Sequence, residues 1–221
     1  MKKCPLTTVL NWLRLNLPKA SDPTKRIAAI IADLDAHALR MWREGHYTFF
    51  VLILMSIVEL RRFLKAVAAG DHAAANRHLD RASTLMLGSG AAMRVAGDVN
   101  HNSYADAVVP SMKKANPKFS GSDSPDHGAL IDTYKEIEKV AGNLPVEVQP
   151  AYNRFLSSVR TAIGAHVYVC AFHRGEDRPS TGSGSATKLS GVETLKRIGA
   201  HWLKLLTSRK GAGGNKCPFH S

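Results

Sequence analysis

Residues 161–184 read TAIGAHVYVCAFHRGEDRPSTGSG, a helical pattern followed by a basic turn and a loop rich in Gly, Ser and Thr. If residues 162–172 form a helix, His166 and Cys170 lie one turn apart on the same face, because positions i and i+4 are neighbours. An imidazole on that face can bind a metal while the thiol reaches a group beside it. Two ligands do not make a tetrahedral zinc site, and core packing is the alternative explanation for both residues.

The remainder of the chain also has helical patterns, and no segment alternates in the way a strand does. The sequence therefore predicts an all-α fold. Gly45 is predicted to separate two long helices, and Gly88-Ser89-Gly90 to interrupt a third. The predicted helices are residues 7–17, 21–44, 47–69, 71–87, 91–95, 103–114, 125–140, 146–172 and 192–208.

The most apolar stretch is residues 47–58, YTFFVLILMSIV. It is shorter than the roughly 20 residues that a membrane-spanning helix needs. We therefore predict a helix buried on all sides at the centre of a bundle, and no membrane partner. The first residues, MKKCPLTTVLNWLRLNLP, predict an amphipathic helix rather than a signal peptide.

Length and composition limit the class of protein further. A chain of 221 residues is long enough for one domain that encloses a cofactor. Lys and Arg number 30 against 18 Asp and Glu, but the positive charge is scattered and lacks interleaved aromatic residues, which disfavours a nucleic-acid partner. Three cysteines cannot all pair, so a reducing cytoplasm is expected.

A second histidine, His127, follows a helix start signal at Ser124-Pro125. Its predicted position in the first helical turn disfavours protonation, because the N-terminus of a helix carries positive partial charge. A neutral imidazole is able to accept a proton. The alternative is an exposed histidine without a role.

Taken with two further stretches, residues 161–184 resemble the tryptophan 2,3-dioxygenase-like superfamily. Residues 46–71, HYTFFVLILMSIVELRRFLKAVAAGD, are similar to its apolar helix ending in Glu-Leu, and residues 119–132, FSGSDSPDHGALID, to its Ser-Gly-Phe-Gln-Ser segment. The resemblance implies a helical bundle that encloses a heme, with His166 as the proximal iron ligand. It also places residues 180–185 at the family's Gly-Thr-Gly-Gly loop.

Two departures favour a particular branch of that superfamily. The distal histidine of the dioxygenases falls on Met55, and their carboxylate-binding arginine falls on Gly128. The order His127, a gap of 38 residues, His166 and Cys170 is similar to the heme-dependent oxygenases that hydroxylate tyrosine and 3-methyltyrosine in antibiotic pathways. The resemblance implies a thioether between Cys170 and a heme vinyl group, with His127 as the proton-transfer residue and a second axial ligand.

The resemblance also implies an activity and its partners. The expected activity is ring hydroxylation of an aromatic amino acid with hydrogen peroxide or O2, in a cytoplasmic homo-oligomer. Alternatives are a dioxygenase acting on tryptophan or another indole, and a heme-binding protein without turnover. The residues expected to contact the substrate are Ser120, Thr181, Gly182, Ser183 and Gly184. The expected organisation is an N-terminal helix and oligomer contact (residues 1–20), a heme-binding domain (21–209) and a flexible tail (210–221).

Overall fold

The computed structural model describes residues 23–115, 125–175 and 190–207. Every regular element in these ranges is helical, which confirms the all-α prediction. The predicted N-terminal helix and C-terminal tail lie outside the described residues. The elements are α1 (Pro23–Ala68), α2 (His72–Ala96), α3 (His101–Ser103), a π-helical segment (Tyr104–Val108), α4 (Val109–Ala115), α5 (Pro125–Ala141), α6 (Gln149–Arg174) and α7 (Gly191–Thr207).

Among the described residues, five long helices form a closed ring. α1 packs on α2, α2 on α6, α6 on α7, α7 on α5, and α5 returns to α1. The apolar stripes of these helices meet in one core, because each amphipathic helix buries only the face that carries its apolar residues. Large, fully buried members of this core are Leu60, Phe63, Leu79, Leu130, Tyr134, Ile137, Phe155 and Leu206.

The prediction that Gly45 ends a helix is wrong, because Gly45 lies inside α1, a single helix of 46 residues. Gly45 instead lies where α1 meets the C-terminal end of α2. A Cβ atom on Gly45 would lie 2.6 Å from the Cβ atom of Ala96 and 2.7 Å from its backbone. The glycine is therefore a close-packing residue of a helix crossing.

The prediction of a break at Gly88-Ser89-Gly90 is also wrong, since α2 is continuous from His72 to Ala96. A Cβ on Gly90 would lie 3.0 Å from the Cα atom of Ala162 in α6, so this glycine also permits a close approach between helices. Ser89 is buried and donates a hydrogen bond of 2.8 Å to the carbonyl of Met86. α2 therefore stays helical here, because Gly90 packs against α6 and the Ser89 hydroxyl is hydrogen-bonded within the helix.

Residues 47–58 are not buried on all sides as predicted. Phe49, Ile53 and Ile57 face the core, but the opposite face of the same helix is exposed, with Tyr47 at 74% of its maximal area. A helix in a ring contacts neighbouring helices on one side only. The number of apolar residues in it therefore does not predict how many of its faces are buried. The exposed apolar residues of this stretch are Tyr47, Val51, Leu54, Met55 and Val58.

Helix boundaries follow local chemistry where the chain turns. Gly70 takes a φ of 70° after α1, and the Asp71 carboxylate caps α2 by accepting a hydrogen bond of 2.8 Å from the Ala74 backbone N–H. Pro110 has no N–H to donate, and the turn before it widens to a π-helix in which Val109 donates to the carbonyl of Tyr104.

α6 is long and apolar enough to cross a bilayer, with a mean hydropathy of 1.3 in its most apolar window. It nevertheless packs against α2 and α7, and Phe155 and Val159 in this helix are fully buried. Core helices of bundles have the same composition as membrane spans, so this property alone does not indicate a membrane segment.

A buried carboxylate connects α1 to α2. Glu59 accepts hydrogen bonds from Arg62 Nη1 at 2.8 Å and from His78 Nδ1 at 2.7 Å, and Arg81 Nη1 lies 4.0 Å away. Burial alone would raise the pKa of Glu59, but the hydrogen bonds from His78 and Arg62 lower it below its ordinary value of 4.5. His78 thus has a structural partner in Glu59.

We predict that Glu59→Gln lowers the free energy of unfolding at pH 7 by about 1.5–3 kcal/mol, the usual size for hydrogen bonds to a charged group. Because the folded pKa lies below the unfolded value, this stabilisation is present above pH 4.5 and is lost as pH falls through the folded pKa. Urea melts at pH 7 and pH 4 measure both effects. Glu136→Gln removes an exposed pair with Lys139 and serves as the control. Equal losses in the two variants would contradict the prediction.

Candidate functional site

The helical ring surrounds a cavity of about 490 Å³. Its walls come from α1, α2, the π-helical segment, α4, α5, α6 and α7, and they are mostly apolar. A largely apolar cavity with a few converging polar groups is the usual form of a small-molecule or cofactor site. The aromatic and titratable residues that line it are Trp42, His46, Tyr104, His127, His166, Cys170, Arg174, Arg197, His201 and Trp202.

His166 and Cys170 both line this cavity from α6, one turn apart, as the sequence predicted. The pKa of His166 is lowered to about 4, mainly by burial and further by the nearby rings of His46 and His127. Burial raises the pKa of the Cys170 thiol, against the opposing charge of Arg174. At neutral pH the site therefore presents a neutral imidazole, the form that binds metals, beside an uncharged thiol.

His127 enters the cavity from the first turn of α5. It is buried, with 7% of its area exposed, and its ring lies 5.8 Å from those of Phe49 and Trp202. The expected neutral state agrees with the structure, but the main cause is burial, which lowers the pKa of His127 against the raising effect of Asp126. Its Nδ1 atom is buried without a hydrogen-bond partner among the described residues.

His46 is a cavity residue that the sequence analysis did not select. It lies on α1, its Nδ1 atom is 2.9 Å from the carbonyl oxygen of Trp42, and burial lowers its pKa. The Trp42 and His46 rings are 4.6 Å apart. Trp42 and His46 are one helical turn apart, and this spacing was the sequence signal that they share a helix face. The prediction that Gly45 ends a helix obscured that signal.

A second group that was missed supports the wall formed by Tyr104. The Tyr104 ring stacks on His173 with 3.9 Å between centroids, and His173 Nε2 donates to the carbonyl of Gly97 at 2.7 Å. Gly97 is itself in close contact with Val169, where a Cβ would lie 2.4 Å from Cγ1. The π-helical segment, α2 and α6 are thus fixed together at the edge of the cavity.

Other predicted positions lie elsewhere. Met55 is on the exposed face of α1 and Gly128 is exposed on α5, so neither lines the cavity and their departures from the dioxygenase pattern say little about its chemistry. The predicted substrate contacts lie outside the described residues; they are Ser120, Thr181, Gly182, Ser183 and Gly184.

The residues present fit the heme that the resemblance implies. The cavity combines imidazoles held neutral, a thiol one turn from one of them, aromatic walls and two arginines suited to carboxylates. The buried Nδ1 atom of His127 also lacks a hydrogen-bond partner among the described residues, as a polar atom does when the group it contacts is absent. Within residues 23–115, 125–175 and 190–207, no group of three His, Cys, Asp or Glu side chains is placed to hold a metal ion by itself.

The described residues thus form an all-α ring whose histidine-lined apolar cavity has the form of a small-molecule or cofactor site. Residues 6–151, about two thirds of the chain, match the SfmD 3-methyl-L-tyrosine peroxygenase family, and the chain belongs to that family. The hydroxylating branch of the predicted resemblance is thereby supported. The matched range contains His46 and His127 and ends before His166 and Cys170.

The chain is also similar to a curated relative with a peroxygenase name. The 3-methyl-L-tyrosine peroxygenase of Streptomyces lavendulae is 28% identical over 159 residues, which cover 70% of this chain and 44% of the relative. The chain thus spans less than half of the length of that relative. No solved structure matches the present chain.

Proposed function

We propose that this chain hydroxylates the ring of an aromatic amino acid, a tyrosine derivative, with hydrogen peroxide as the oxidant and a heme as the cofactor. The observation that carries the proposal is the meeting of His127, His166 and Cys170, from two helices, in one apolar cavity. Membership of the peroxygenase family supports the reaction class. The overall reaction adds one oxygen atom of the peroxide to an aromatic C–H bond and releases water.

The cofactor would be held from α6. His166 is suited to bind the iron because burial keeps its imidazole neutral. Cys170 is suited to add its S–H across a heme vinyl double bond, which forms a thioether with the hydrogen placed on the neighbouring carbon and involves no net oxidation. Arg174 and Arg197 line the same cavity and supply positive charge for carboxylate groups, with Arg197 already paired to Glu193 at 2.9 Å. Such a tether would fix the cofactor in a chain with a small core.

When bound, the heme would supply the oxidising chemistry. The protein supplies the proton transfer: His127, neutral and buried beside Trp202, is suited to take a proton from the peroxide and return it to the oxygen that leaves as water. His127 would also be able to help hold the cofactor, because its ring lines the same cavity as His166. The mostly apolar walls lower the polarity around the reacting groups.

The first test is a visible spectrum of the purified protein, followed by pyridine hemochrome analysis and acid–acetone extraction. We predict that heme remains with the wild-type polypeptide and is extracted from Cys170→Ala. Cys4→Ala and Cys217→Ala are matched controls, because neither cysteine lies four residues from His166 in the sequence, and both variants should retain heme. A hydroxylation assay with tyrosine, 3-methyltyrosine and peroxide follows on the same preparations.

The outcomes separate the competing functions. Heme that is extracted from wild type and variant alike would contradict the thioether and favour a dioxygenase that uses O2. Bound heme without turnover on any aromatic amino acid would favour a heme-binding protein. A protein that takes up no added heme would overturn the proposal.

A further inference from the structure

His46 is a half-buried histidine of the cavity that the proposed function leaves without a role. Its Nδ1 atom lies 2.9 Å from the carbonyl oxygen of Trp42, one turn earlier in α1. A carbonyl oxygen only accepts hydrogen bonds, so Nδ1 must carry the proton and donate it. In a neutral ring, Nε2 then has a lone pair and no hydrogen. His46 therefore presents a fixed hydrogen-bond acceptor.

The acceptor is also fixed in place. The Trp42 ring lies 4.6 Å from the His46 ring, and the neighbouring Gly45 is in close contact with Ala96 of α2, which sets the depth of this turn of α1 against the cavity wall. Burial disfavours the charged imidazolium ring. An acceptor held in this way needs little reorganisation to bind a donor.

The chemistry of the cavity limits what the donor is. Its arginines are themselves donors and suit carboxylates, while its walls are mostly apolar and include Trp42, Tyr104 and Trp202. An aromatic ring packs against such walls, and a hydroxyl group on that ring would lose its hydrogen bonds to water unless an acceptor met it. A phenol provides both the ring and the single O–H donor.

We infer that His46 Nε2 accepts a hydrogen bond from the phenol hydroxyl of the substrate and makes the site selective for phenols over aromatic rings that lack the hydroxyl. This role rests on the proposed function, since it assigns a substrate contact in the same cavity. The hydrogen bond has a chemical consequence as well: drawing the proton towards His46 raises electron density at the ring carbons ortho to the hydroxyl, where hydroxylation gives a catechol.

The test compares the binding affinities of L-tyrosine, L-phenylalanine and O-methyl-L-tyrosine by calorimetry on the heme-loaded protein. Wild type should prefer tyrosine over the other two by about 10- to 100-fold, the discrimination expected from one buried hydrogen bond. His46→Leu should remove that preference, and His46→Gln, which keeps an accepting oxygen, should retain part of it. His37→Leu, at an exposed histidine of the same helix, is the control and should match wild type.

Two results would overturn the role of His46. One is an unchanged preference for tyrosine in His46→Leu. The other is loss of heme, or a changed heme spectrum, in both His46 variants, because histidines that bind metals also commonly donate their second nitrogen to a carbonyl. Failure of wild type to bind any of the three amino acids would overturn this role together with the proposed function, whereas phenol binding by wild type would leave the proposed function standing.

Discussion

Replacing His127 by alanine is expected to lower the rate of peroxide-dependent hydroxylation by about 10²- to 10⁴-fold, the usual contribution of one general acid–base residue. The reason is that His127 is buried among Phe49 and Trp202 with its pKa lowered, so its neutral ring is available to accept a proton at pH 7. Because His127 is assigned to proton transfer and not to substrate binding, the effect should fall on kcat, with KM little changed.

Three further measurements give the His127 prediction its specificity. Added imidazole should restore part of the activity of His127→Ala, since the truncated side chain leaves space for a free base. His127→Gln should keep the fold but not the activity, because an amide does not accept a proton at neutral pH. His37→Ala, at an exposed histidine, should be fully active. A His127→Ala variant with wild-type kcat would show that this residue has no part in proton transfer.

The titratable residues of the cavity differ in whether a local sequence pattern predicts them. His166 and Cys170 were found because their spacing is a local property of one helix. His127 was found because a serine and a proline mark the start of its helix. His46 was missed, because the predicted break at Gly45 hid its one-turn spacing from Trp42, and because its proximity to His166 is not a property of one helix. That relation depends on how α1 packs on α2 and α5, which no local pattern records.

The fold shows the same limit. Helical periodicity predicted the class and the bounds of α5 and α7 to within one residue. It did not predict that α1 is one helix, because a glycine within an apolar pattern is read as a stop when its partner is unknown. Ala96, the residue that occupies the space above Gly45, is far away in sequence. The apolar character of Met55 similarly gave no sign that it faces outward.

Replacing Gly45 by alanine is expected to lower the free energy of unfolding by about 2 kcal/mol or more, although glycine is a poor residue for the interior of a helix. Alanine would gain about 1 kcal/mol in helix propensity. Against this, the new methyl group would lie 2.6 Å from the Cβ atom of Ala96 and 2.7 Å from its Cα and N atoms, so α1 and α2 must separate. Forced overpacking costs about 1–3 kcal/mol and more where backbone has to move.

Gly164→Ala is the matched control, because Gly164 is also inside a helix, is exposed, and has nothing within 4 Å of an added Cβ. That variant should gain about 0.5–1 kcal/mol, so urea melts of the two variants should shift in opposite directions. The Gly45 variant should also weaken tyrosine binding, since separation of α1 from α2 moves the adjacent His46. Stabilisation by both alanines would mean that α1 and α2 are not in close contact at Gly45, and the position of His46 in the cavity would then lose its physical basis.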